Sequence, residues 1–107
     1  MKRGDIVTIS LPGEYGKPRP GLIFQSDLFI QTNSVTVLPL TSHLIDAPLF
    51  RILVEPNEDN GLKLPSHLMV DKLYTTSRDR VGDVIGHLET KHLLPIERAI
   101  LVFLGMA

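Results

Sequence analysis

Cysteine is absent from the 107 residues. Its absence removes disulfides, thiolate metal sites and cysteine nucleophiles at once. No apolar run approaches the roughly twenty residues that span a bilayer. Met1-Lys2-Arg3-Gly4-Asp5 leads straight into an alternating strand with no apolar signal region and no small-residue cleavage site, so a cytoplasmic chain with no membrane partner is expected. Neither charge is in excess: eleven Lys and Arg stand against twelve Asp and Glu, for a net charge of −1. A broad, non-specific duplex binder is normally basic, so that class is disfavoured, while a small local basic site is not. Tryptophan is missing too. What is present is a 43% apolar chain, enough for a globular core in one domain covering residues 1–107.

The apolar spacing predicts many short strands and one helix. Gly4 to Leu11 alternates as a first strand. Pro20 to Gln25 is a second, with Leu22-Ile23-Phe24 as a continuous run suited to a strand buried on both faces. Ser26-Asp27 is placed to cap one helical turn over Leu28 to Ile30. Val35 to Leu40, Phe50 to Val54 and His67 to Val70 are strands three to five. The polar stretch from Glu55 to Pro65 holds Asn60-Gly61, a turn signal. Asp71 to Thr76 continues the fifth strand or begins the next. Arg78 to Gly82 is a charged turn before a strand over Asp83 to Leu88. From Leu93 onward the period becomes helical, with Pro95 read as a first-turn residue, a helix over about Pro95 to Leu104, and Gly105 as its C-cap. Leu101, Val102 and Leu104 leave that helix apolar nearly all round, so a second surface is expected to cover it, a second copy of the chain among the options. Together these elements predict a mainly β fold, a small antiparallel SH3-like barrel with a C-terminal α-helix.

Gly13-Glu14-Tyr15-Gly16-Lys17-Pro18-Arg19-Pro20-Gly21 is the organising loop between the first two strands. Arg19 lies between two prolines on a stiff, extended base, and its planar donor fork matches a phosphate. Taken alone, it is read more simply as a strand opener facing water. Thr41-Ser42 and Asp71 also stand at strand ends, where sites are commonly mounted. A permanent cation, hydroxyls and a carboxylate suit RNA cleavage by the substrate's own 2′-hydroxyl: the carboxylate takes the proton and the arginine neutralises charge on phosphorus oxygens.

Several segments, in order, resemble the MazF/PemK family of toxin ribonucleases: Gly4-Asp5-Ile6-Val7, the Glu14 to Pro20 loop, Val37-Leu38-Pro39-Leu40-Thr41-Ser42, Val70-Asp71-Lys72-Leu73-Tyr74-Thr75-Thr76, Arg80-Val81-Gly82, Ile85-Gly86-His87-Leu88 and Leu101 to Gly105. The resemblance implies the toxin of a type II toxin–antitoxin system. Such a toxin is a homodimeric, metal- and cofactor-independent endoribonuclease that inhibits growth by cutting single-stranded mRNA to 2′,3′-cyclic phosphate and 5′-hydroxyl ends, and a cognate antitoxin protein covers its site. Position by position it implies Arg19, Thr41 and Asp71 as catalytic, with Asp71 as base and Ser42 beside Thr41; Glu14, Lys17, Ser42 and His43 are the candidate RNA-binding residues. The chain departs from some relatives by carrying Met69, where they have an arginine, two residues before Asp71, and its Asp46 to Glu55 loop has no close counterpart in the family pattern.

Plainer readings accompany each residue. Thr41 and Ser42 serve equally well as turn caps, Asp71 as a salt-bridge partner of Lys72 or Arg78, and the four histidines as structural or solvent-exposed groups. A histidine pair, His43 with His67, is another acid–base option. Glu55, Glu58 and Asp59 form a solvated acidic loop without the ligand spacing of an EF-hand. Two other functions fit the same fold. One is a CcdB-like gyrase poison, against which the missing tryptophan tail counts; the other is a non-catalytic RNA-binding barrel.

Overall fold

The computed structural model describes residues 1–10 and 17–107. The expectations at Leu11, at Glu14 and over the rest of the loop before Lys17 lie outside the described residues. Among the described residues seven strands are seen: β1 (Asp5–Ile9), β2 (Arg19–Ile23), β3 (Ser34–Thr41), β4 (Arg51–Val54), β5 (Ser66–Met69), β6 (Tyr74–Ser77) and β7 (Val81–His87), followed by α1 (Thr90–Phe103). Pairing runs β4-β5-β3-β2-β1-β7, with β6 also on β3, and every pair is antiparallel. The sheet is barrel-like without closing, and the expected mainly β fold with a C-terminal helix is what forms.

β3 is the hub. Its first half pairs with β6 and its second half with β5. The chain crosses from β5 to β6 through a 3-10 turn, Val70–Lys72. That turn resolves the open question over Asp71: it belongs to neither strand but to the corner between them.

The continuous apolar runs follow from burial on both faces of the central strands. Ile6, Leu22, Leu38, Leu40 and Leu68 pack with Val70 and with Leu93, Ile96 and Ile100 of α1. Val7, Ile9, Ile23, Val35 and Val37 form the second cluster. Removing an aliphatic side chain of this size from water contributes about 1.5–3 kcal/mol, so the two clusters hold the strands in register.

The helix starts at Thr90, not at Pro95, which sits in its second turn. Extended Glu89 caps it, and the His92 N–H reaches the Glu89 carbonyl at 2.9 Å. Proline's fixed φ is already helical, so its cost here is one missing hydrogen bond plus ring crowding. Leu93, held in the core one turn from the start, offsets that cost. Gly105 ends the helix as expected, with φ +74°. Its N–H bonds the Val102 carbonyl at 3.1 Å and that of Met106 the Leu101 carbonyl at 2.7 Å, a Schellman motif.

The connection between β4 and β5 is not a tight hairpin. Asn60 is fully buried. Its side-chain oxygen accepts from the N–H of Asn57 (3.2 Å) and of Leu62 (3.0 Å), and its amide donates to the Glu55 carbonyl at 2.8 Å. Gly61, at φ +70°, and Gly86 let this knot lie directly on the β7 backbone.

Candidate functional site

Antiparallel partners point to the same face. On β2 and β3 the pairs Gly21↔Pro39, Leu22↔Leu38 and Ile23↔Val37 fix the register. Carried two residues further, that register sets Arg19 beside Thr41 at the strand ends. On the other side of β3, Thr41 pairs with His67. Residues far apart in sequence therefore meet at one end of the sheet because β3 lies between β2 and β5.

They line a cleft of about 540 Å³. Arg19 and Pro20 form one wall. Pro39, Leu40 and Thr41, with Ser42 and His43, form the floor. Leu62, Lys63, Leu64, Ser66 and Met69 close the other side. The Thr41 hydroxyl accepts the His43 N–H at 3.1 Å, which folds the 41–43 turn tightly at the strand end. The capping role and the cleft role thus coexist in Thr41. Arg19, Lys63 and His43 supply the cationic or protonatable groups, and Thr41, Ser42 and Ser66 the hydroxyls. No carboxylate is among the described lining residues. In a chain of net charge −1, the described lining residues thus gather positive charge locally.

The cleft gathers Arg19, Thr41, Ser42 and His43 from the expected set. Lys17 is exposed just before β2 and is not among the lining residues. Glu14 lies outside the described residues. Asp71 does not line the cleft. Its carboxylate receives Arg51, with Nε at 3.0 Å and Nη2 at 3.4 Å, and Lys72 Nζ stands at 3.9 Å. The Arg51 side chain is only 9% exposed and lies over the Phe50 ring. Of the alternatives read for Asp71, the Lys72 contact forms, but the principal partner is Arg51. His67 is half-buried, and its Nδ1 accepts the Ile45 N–H at 3.5 Å. No set of three or more His, Asp or Glu side chains gathers as metal ligands among the described residues.

Leu62, Lys63, Leu64 and Met69 were not foreseen as cleft residues. Lys63 carries no motif, and the signal that locates it is the Asn60-Gly61 turn, which reverses the chain toward the strand ends.

The fold and cleft define a small barrel-like protein with a groove at one sheet end whose described lining includes Arg19, Lys63 and His43. The chain belongs to the family of PemK-like, MazF-like toxins of type II toxin–antitoxin systems, whose model matches residues 2–104. It is 48% identical over 108 positions to the probable endoribonuclease MazF of Mycolicibacterium smegmatis, covering 100% of this chain and 99% of that one. Among solved structures it resembles the Mycobacterium tuberculosis toxin MazF-mt6, with a TM-score of 0.82 and 25% identity over 96% of this chain and 98% of the other. A mycobacterial endoribonuclease in complex with its cognate antitoxin has the same fold, with a TM-score of 0.81 and 24% identity over 100% and 97% of the two chains.

Proposed function

We propose that this chain is an endoribonuclease toxin that cuts single-stranded RNA, mRNA foremost, in the cytoplasm, and that a cognate antitoxin restrains it. The carrying observation is the convergence of Arg19, Thr41 and His43 on one cleft whose described lining residues gather positive charge and no carboxylate.

In the proposed reaction the 2′-oxygen attacks the adjacent phosphorus as its proton passes to a base. The phosphorus–O5′ bond breaks, and O5′ takes a proton from solvent. The products are a 2′,3′-cyclic phosphate and a 5′-hydroxyl. Arg19 and the Thr41 hydroxyl hold the non-bridging oxygens as charge builds on them. The nucleophile is part of the substrate, so the step needs no cofactor. His43 lines the cleft two residues from Thr41, and an imidazole nitrogen can act as general base, so we assign the proton to it. Asp71 then acts one step back, by ordering Arg51 at the corner where β5 ends. Self-association through the apolar end of α1, where Leu101, Val102 and Phe103 are exposed in the single chain, completes the proposal.

The experiment is cleavage of a defined single-stranded RNA by wild type and by Arg19→Ala. Loss of cutting with the fold retained supports the reading. Equal cutting by both sinks it, and is the result that a different catalytic site would give.

A further inference from the structure

Lys63 lines the cleft just after the Asn60 knot, on the segment that leads into β5, whereas Arg19 opens β2, and β5 and β2 flank β3 on opposite sides. A lysine on an exposed loop is normally a solvated charge on a mobile base. Here the backbone is pinned on both sides. The Leu62 N–H donates to the buried Asn60 side chain at 3.0 Å. The Leu64 carbonyl accepts the Ser66 hydroxyl at 3.0 Å, and Ser66 is itself buried. Gly61 sits against the β7 backbone, where an added Cβ would stand 2.1 Å from the Ile85 carbonyl oxygen. The chain therefore presents Lys63 from a fixed point, three residues beyond the fully buried Asn60. A cleft of about 540 Å³ is much larger than one phosphate group, and its cations come from segments adjoining two different strands, β2 and β5.

We propose that Lys63 is a second phosphate-binding residue, holding a backbone phosphate of the RNA strand next to the one that Arg19 engages. This rests on the reading of the cleft as an RNA site. Leu62 and Leu64 beside it offer apolar surface to the base between the two phosphates. An ammonium acts there as a point charge without the geometric demand of the arginine fork, so it sets affinity rather than sequence preference.

The probe is a mixed-sequence 2′-O-methyl oligoribonucleotide, which lacks the attacking hydroxyl. Its binding to wild type, Lys63→Ala, Lys63→Arg and Lys91→Ala is measured by fluorescence anisotropy across a KCl series. Each phosphate neutralised on a single strand contributes about 0.7 to the slope of log K against log salt. Lys63→Ala is expected to flatten the slope by about that amount and to weaken binding about fivefold at 0.1 M salt. Lys63→Arg retains the slope, as does Lys91→Ala, whose lysine lies on α1 beside Glu89. Wild-type slope and affinity in Lys63→Ala overturn the proposal while leaving the nuclease reading intact. Failure of the wild type to bind the probe or to cut RNA overturns both.

Discussion

Arg19 and Asp71 began as equal members of a reacting set and end in different surroundings. Arg19 lines the cleft beside Thr41, whereas the Asp71 carboxylate is bound to Arg51. Removing one partner of a largely buried pair leaves the other charge poorly compensated. Asp71→Asn is therefore expected to lower stability by about 1–3 kcal/mol, less than for a fully buried pair because the carboxylate remains partly exposed. Denaturant unfolding of Asp71→Asn beside Arg51→Met measures it. On the proposed assignment, folded Asp71→Asn keeps most of its cleavage, while His43→Gln loses about 10²-fold or more in kcat. The reverse pattern would return the base to Asp71. The strand-end placement of Arg19 and Thr41 was legible because each borders a recognisable apolar run. The Arg51–Asp71 pair was not, since nothing local joins residues that far apart until β4 and β5 are paired in register.

At the level of elements, strands one to three were readable because their apolar runs serve two cores. The ends of elements were harder. Pro95 drew the helix start five residues too late, because local sequence registers the lost hydrogen bond but not the tertiary packing of Leu93. The 55–65 connection was read as a turn with a solvated acidic loop, and its polar residues conceal a buried amide. Asn60→Ala is expected to cost about 2–3 kcal/mol, since it leaves buried backbone groups without partners. Gly86→Ala places a Cβ 2.3 Å from the Asn60 carbonyl carbon and is expected to cost about 1–3 kcal/mol by overpacking. Thermal unfolding checks both. Each variant should also loosen Lys63 and weaken RNA binding at temperatures where the chain is still folded.

For the whole molecule, α1 carries a buried stripe, Leu93, Ile96 and Ile100, while Leu94 near its start and Leu101, Val102 and Phe103 at its end, with the C-cap Leu104, are exposed. The all-round apolar character seen in the sequence is thus half accounted for by the sheet. Self-association predicts a particle of twice the 11.9 kDa chain mass in sedimentation equilibrium at micromolar concentration. Val102→Asp should shift that equilibrium toward single chains. A wild-type protein that stays at single-chain mass would remove the dimer from the proposal without touching the cleft.

The most direct measurement incubates wild type and Arg19→Ala with a defined single-stranded RNA in the presence of a chelator, and reads the fragment ends by mass spectrometry. Wild type should yield 2′,3′-cyclic phosphate and 5′-hydroxyl ends, and Arg19→Ala should leave the RNA whole. Intact RNA with both proteins, or the same fragments from both, would contradict the assignment of this cleft to phosphodiester cleavage.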